Sequence, residues 1–145
     1  MSRLEEMKVG SGLQTIELEP VSRLNLIKYA GASEDFNPIH TIDSDAEDAG
    51  FQGIIAHGMW TMGNLAKLFT PYLGVGFVQG YSIRFKGMVF LGDVISLRAI
   101  LKEKQGTTLI FEVDAVNQDD KKVMVGKLAF SMEVRDIILK NKEER

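Results

Sequence analysis

The sequence predicts one α+β domain in which an antiparallel sheet wraps a central helix. Three observations carry that expectation. Four segments alternating apolar and polar residues follow one another in the C-terminal half, separated by short polar or glycine turns. A long apolar segment, from about His57 to Leu73 with Lys67 as its one charged residue, comes just before them. The chain of 145 residues is long enough to bury a real core within one domain.

Taken in order, the first residues up to Gly10-Ser11-Gly12 read as a lead-in. Leu13 to Glu19 alternates with the period of a half-buried strand, and Pro20 ends it. Ser22 offers an N-cap for a helix from Arg23 to about Gly31, with Leu24, Ile27 and Lys28 on neighbouring turns. Asn37-Pro38 breaks the chain again, because the residue before proline is pushed out of the helical region. A short helix is expected over Ser44 to Ala49, capped by Asp43 or Ser44, followed by a loop at 50–53. The segment from His57 to Leu73 is expected to be the longest helix, and its nearly uniform apolarity predicts burial. Met59, Trp60, Met62 and Phe69 are assigned to the core.

Four strands follow. Their inward residues are expected to be Tyr81, Ile83 and Phe85; then Ile95, Leu97, Ala99 and Leu101. Leu109, Phe111, Val113 and Ala115 follow, and last Met124, Leu128, Phe130 and Met132. Turns are placed at 91–93, 104–106 and 118–120. The whole chain, 1–145, is read as a single domain with its core at about 10–134 and a charged tail at 136–145.

Composition excludes several function classes. There is no cysteine, so disulfides, thiolate nucleophiles and cysteine metal sites are ruled out. The net charge of −3 and the absence of a basic, aromatic-interleaved patch argue against a nucleic-acid partner. Apolar runs are interrupted before a membrane-spanning length, and the acidic N-terminus does not read as a secretory signal. A cytoplasmic protein with no membrane partner is expected.

Two histidines are the scarce chemical resource of this chain. His40 closes Asp35-Phe36-Asn37-Pro38-Ile39-His40. On a helix, Asp35 and His40 would be splayed by roughly 140°, but a turn built on Asn37-Pro38 can fold both toward one point. Asn37 suits such a turn through its own side-chain hydrogen bonds. A carboxylate beside an imidazole is an acid–base pair able to move protons between water and carbon. His57 precedes Gly58 at the start of the long helix. There, unpaired N–H groups and the positive dipole end can stabilise a developing oxyanion, and a glycine admits close approach. Read singly, Asp35 as a turn cap, His40 as a packed core residue and Gly58 as an ordinary helix start are the simpler readings. It is their combination that points to chemistry.

These residues carry a family resemblance. The segment Tyr29-Ala30-Gly31-Ala32-Ser33-Glu34-Asp35-Phe36-Asn37-Pro38-Ile39-His40, followed by Ile55-Ala56-His57-Gly58-Met59, closely resembles the signature of MaoC-like proteins, the (R)-specific enoyl-CoA hydratases. The segment from Arg84 to Asp93 is similar to the strand and turn that follow the central helix in that family, and the resemblance spans roughly residues 10–134. It implies a hot-dog fold acting as a homodimer, with Asp35 and His40 handling the water and the α-carbon proton and the Gly58 N–H binding the thioester oxygen. It also implies reversible syn hydration of trans-2-enoyl thioesters to (R)-3-hydroxyacyl thioesters. Coenzyme A or an acyl-carrier protein would carry the acyl group, and no metal or redox cofactor would take part.

Asn37, Pro38 and His57 are assigned to shaping the site. The chain departs from the family at Ala66, where a small hydroxyl residue is expected, and at Met88 and Leu91, where prolines are expected. Thr61, one turn from Gly58, offers a replacement hydroxyl. Phe36, with Phe51, is a candidate for lining an acyl channel, and Arg84, Lys86 and Arg98 for meeting phosphates. Core packing and a solvated sheet face explain these residues equally well. Two alternatives stand beside the hydro-lyase. One is a hot-dog acyl thioesterase, in which His40 lacks a task. The other is a non-catalytic acyl-thioester-binding subunit, which an intact Asp35/His40 pair opposes.

Overall fold

A computed structural model describes residues 4–132. The expected charged tail at 136–145 lies outside the described residues. The described chain forms a five-stranded antiparallel sheet in the order β1-β3-β4-β5-β2, with β1 (Ile16–Glu17), β2 (Phe77–Phe85), β3 (Ser96–Gln105), β4 (Thr108–Val116) and β5 (Lys122–Ser131). Three helices, α1 (Arg23–Ser33), α2 (Asp43–Asp48) and α3 (Gly58–Leu65), lie between β1 and β2.

The expected alternation holds through β3, β4 and β5, whereas Phe85 on the outermost strand β2, expected inward, is 49% exposed. Leu97, Ala99, Phe111, Val113, Leu128 and Phe130 are all essentially inaccessible on the inner face of the sheet. Phe69, just past α3, packs edge-on against Phe111 at 5.0 Å and beside Phe130 at 6.0 Å, so aromatic contacts seat the helical segment on the sheet. The outer face is polar: Arg98 donates two hydrogen bonds to the Asp114 carboxylate, at 2.6 and 2.8 Å. Between β4 and β5, the Asn117 side chain accepts from the N–H groups of Asp119 and Lys121 and closes the turn.

Several expectations need correction. The first strand is only two residues long, because its pairing slips by one residue between Gly12↔Ile100 and Ile16↔Leu97. Helix α1 starts as predicted, with Ser22 accepting from the Asn25 N–H at 3.1 Å, but it runs on to Ser33. It buries Leu26 and Ala30 and leaves Leu24 and Ile27 outward. The sequence offers two overlapping apolar stripes there, and packing chose the other one. Helix α2 begins one residue early, after Ile42 and without a side-chain cap.

The long helix is also shorter than expected. α3 ends at Leu65 and gives way to two 3₁₀ turns, Ala66–Leu68 and Thr70–Tyr72. Two hydrogen bonds act at its C-terminal half. The Tyr81 hydroxyl donates to the Met62 carbonyl at 2.7 Å, and the Asn64 side chain donates to the Trp60 carbonyl at 2.8 Å. Gly63 and Pro71 further weaken helical continuation. One side of α3 is exposed, and Met59 lies on it rather than in the core. Among the described residues no helix is long and apolar enough to cross a membrane.

Gly126 sits opposite Ile83 where β5 meets β2. A Cβ there would collide with the Ser82 carbonyl and come within 2.8 Å of the Ile83 Cα, both backbone atoms that move only if the strands part. Gly126→Ala is therefore expected to destabilise the protein by about 2–4 kcal/mol in urea unfolding. A change below about 0.5 kcal/mol would contradict this strand contact.

Candidate active site

The site is built from two loops that precede helical turns. α1 ends at Glu34 in a left-handed conformation, which redirects the chain outward. The next residues fold through two consecutive side-chain turns. The Asn37 N–H donates to the Asp35 carboxylate at 3.2 Å, and the Ile39 N–H donates to the Asn37 side-chain oxygen at 3.3 Å. Pro38 occupies the first position of the 3₁₀ turn Pro38–His40, where its missing N–H costs nothing. The outcome is the juxtaposition expected of this segment: Asp35 Oδ2 lies 3.9 Å from His40 Nε2.

His40 is anchored from its other side. Its Nδ1 lies 2.8 Å from the Ile55 carbonyl, which can only accept, so Nδ1 carries a proton, and the ring in its neutral form presents a bare Nε2 to Asp35. The backbone repeats this link, with the Ile55 N–H donating to the Ile39 carbonyl at 3.3 Å. Nothing in the residue type of Ile55 signals this role, since the group that matters is its backbone oxygen.

His57 occupies the N-cap position of α3, without a side-chain cap bond, and clamps the two loops together. Its ring stacks on His40 with centroids 3.8 Å apart and planes inclined by 23°, and Tyr29 meets its edge at 4.8 Å. Its Nε2–H donates to the backbone carbonyl of Asp35 at 3.2 Å, while Nδ1 is buried without a partner. His57 is 2% exposed, and burial pushes its pKa down. The nearby His40 pushes the same way, and the Asp35 carbonyl and carboxylate partly offset both. A neutral His57 fits this setting; a protonated one would carry a buried, unpaired N–H beside His40.

A cavity of about 390 Å³ opens beside the pair, lined by His40, Gly58, Thr61, Phe85 and Lys86 among others. Gly58 is the first residue of α3, so its N–H has no acceptor within the helix. The reason for glycine is more specific than expected: a Cβ at 58 would lie 2.8–3.1 Å from the ring carbons of Phe85. Phe85 thus fits directly against the Gly58 backbone, a contact that sequence spacing did not reveal.

The remaining candidates divide. Thr61 and Lys86 line the cavity. Phe36, 68% exposed, and Phe51 are not among its lining residues. Arg84 points from β2 into solvent, and Arg98 is committed to Asp114 rather than held ready for a phosphate. Asp35 is half-exposed and meets the cavity through His40.

One atom each from Asp35, His40 and His57 lies within 4.8 Å of the others, a spacing that invites a cation. The two imidazoles are stacked, however, with planes inclined by only 23°, so their lone pairs lie in two nearly parallel planes. They do not converge on a point about 2.0–2.1 Å from both nitrogens, as a shared metal requires.

The depressed pKa of His57 makes stability pH-dependent. Between its folded value and the unfolded value of about 6.5, the unfolded chain binds more protons. The contribution is therefore complete above about pH 6.5 and is lost as pH falls through the folded value. Melting temperature is expected to drop on acidification below about 6.5, and less so in His57→Gln. An unchanged acid slope in that variant would assign the effect to another group.

Comparison with known proteins identifies the family. Residues 6–123 match the family model described as the MaoC like domain. The chain is 31% identical over 124 residues to the fatty acid synthase subunit beta of Aspergillus oryzae, covering 82% of this chain but only 6% of that protein. It is 30% identical over 113 residues to the (R)-specific enoyl-CoA hydratase of Aeromonas caviae, covering 73% of this chain and 77% of the relative. An unliganded R-hydratase from Pseudomonas aeruginosa superposes with a TM-score of 0.81 at 24% identity, over 88% of this chain and 83% of that one. That likeness establishes the hot-dog fold, and the family match establishes kinship: the chain belongs to the MaoC-like dehydratase family.

Proposed function

We propose that the protein hydrates trans-2-enoyl thioesters reversibly to (R)-3-hydroxyacyl thioesters, with coenzyme A or an acyl-carrier protein as the acyl carrier and no metal or redox cofactor. The observation that carries this reading is the 3.9 Å approach of Asp35 Oδ2 to His40 Nε2 at a cavity that Gly58 also lines. Two acceptors at that separation can hold one water at about 2.8 Å from each, with an angle near 90° at its oxygen. Nε2 takes a proton from that water as its oxygen bonds to C3. The electron pair of the C2–C3 double bond moves toward the thioester carbonyl, whose oxygen receives the Gly58 N–H. The imidazolium, held beside the Asp35 carboxylate, then delivers the proton to C2. Hydroxyl and proton arrive from the same side, so addition is syn. The (R) outcome is supported by the names of relatives, as is the choice of hydro-lyase over thioesterase or binding subunit.

Asp35→Asn and His40→Gln are each expected to lower kcat/KM for hydration of crotonyl or hexenoyl thioesters by about 10²–10⁴-fold, with circular dichroism unchanged. Absorbance loss without free thiol identifies hydration. Near-normal turnover in either variant, or thiol release by the wild type, would sink the assignment.

A homodimer is proposed with it. β2 is the outermost strand, and its outer edge has no partner among the described residues over nine positions, with Phe77 and Phe85 exposed. Long unpaired edges invite pairing with another chain. Light scattering is expected to give twice the monomer mass; a monomer at micromolar concentration would refute this. The cysteine-free composition supports a cytoplasmic setting.

A further inference from the structure

We infer that the Thr61 hydroxyl is a second hydrogen-bond donor to the thioester carbonyl, working beside the Gly58 amide. The inference rests on the hydration reading above and assigns the oxyanion site a side chain as well as a backbone group.

Thr61 lies one turn beyond Gly58 on α3, and both line the same cavity as His40. A helical Cα–Cβ bond leans toward the N-terminus, so this side chain leans back toward the first turn. Thr61 is only 2% exposed, yet its hydroxyl has no hydrogen-bond partner among the described residues. A threonine within a helix commonly donates to the carbonyl four residues back. Here that carbonyl, on His57, accepts the Trp60 N–H at 3.1 Å and no bond from Thr61. The hydroxyl is not sealed in, because His57 Nδ1 is the one side-chain polar atom among the described residues that is both sealed and unpartnered. The Thr61 hydroxyl therefore opens on the cavity it lines.

The chemistry of the lining explains why a donor is needed there. Ile55, Ala56, Phe85, Met88, Val89 and Val123 contribute mostly hydrocarbon. In such surroundings a hydrogen bond to developing negative charge is worth more than in water. A carbonyl oxygen has two lone pairs, and the Gly58 N–H meets one of them. Asp35 and the bare Nε2 of His40 are acceptors turned to the water, so neither can serve the other lone pair. Thr61 donates a hydrogen bond as charge builds on that oxygen; no bond to Thr61 forms or breaks.

The test compares Thr61→Val, which removes the hydroxyl and keeps the shape, with Thr61→Ser, which keeps the hydroxyl. With crotonyl-coenzyme A, Thr61→Val is expected to lower kcat by about 10–100-fold and to change KM less than about threefold. Thr61→Ser should stay within about threefold of wild type in kcat. A purely structural threonine would behave otherwise, since valine at this buried position should leave both melting temperature and kcat unchanged.

A second readout is the carbonyl stretch of crotonyl-coenzyme A bound to Asp35→Asn, followed by difference Raman spectroscopy. Adding Thr61→Val should reduce the shift to lower frequency. The inference is overturned by a Thr61→Val kcat within twofold of wild type, by Thr61→Ser failing as badly as Thr61→Val, or by an unchanged carbonyl stretch. It is also overturned if Lys86→Met, and not Thr61→Val, weakens that shift. If the wild type hydrates no enoyl thioester, the hydration reading falls by itself, and the stretch of the bound thioester still decides the donor.

Discussion

The Nδ1–H of His40 donates to the Ile55 carbonyl at 2.8 Å, and a carbonyl can only accept. That asymmetry determines which nitrogen of the ring is basic, and it sends the basic one toward Asp35. The same bond joins the 3₁₀ turn Pro38–His40 to the strand-like stretch before α3, together with the backbone link from Ile55 to Ile39. The position of the acid–base pair relative to the Gly58 amide therefore depends on these two hydrogen bonds between segments about 15 residues apart. With the tautomer reversed, Nδ1 would face the Ile55 carbonyl without a proton, and both this hydrogen bond and the base would be lost.

His57 supports this arrangement by being neutral. Two imidazoles with centroids 3.8 Å apart cannot both hold a charge cheaply, and the proposed hydration requires His40 to become an imidazolium for part of the cycle. Burial opposes charge on His57, so the proton has one place to go. The His57 Nε2–H, bound to the Asp35 carbonyl, also keeps the loop bearing the carboxylate over the stacked rings. A ring incapable of this hydrogen bond would preserve the stack and release the loop.

What was legible in the sequence follows the range of the interactions involved. The kink from Asp35 to His40 could be read because its hydrogen bonds join residues two apart, and the Ser22 cap because it spans three. The sheet was legible through its period of two. The end of α3 was not, because the Tyr81 hydroxyl that takes the Met62 carbonyl lies 19 residues away. The buried stripe of α1 was ambiguous for a similar reason: Leu24/Ile27 and Leu26/Ala30 are both helical spacings, and only the packed structure distinguishes them. Gly58 was recognised, but for open access to its backbone; the ring of Phe85 that lies against it is 27 positions later.

That ring also bears on stereochemistry. Phe85 closes the space against the Gly58 Cα, while His40 and Gly58 line the cavity itself. A flat enoyl thioester whose carbonyl oxygen reaches the Gly58 N–H then has one face toward Asp35 and His40. In the proposed hydration the water and the returning proton both come from that pair, so a single face receives both atoms. Anti addition would need a second proton donor across the cavity. Lys86 is the other titratable group in the lining, and it is a candidate for meeting an anionic carrier group. In the proposed reaction, syn addition thus follows from having one acid–base pair on one wall, and it does not depend on the identity of the acyl chain.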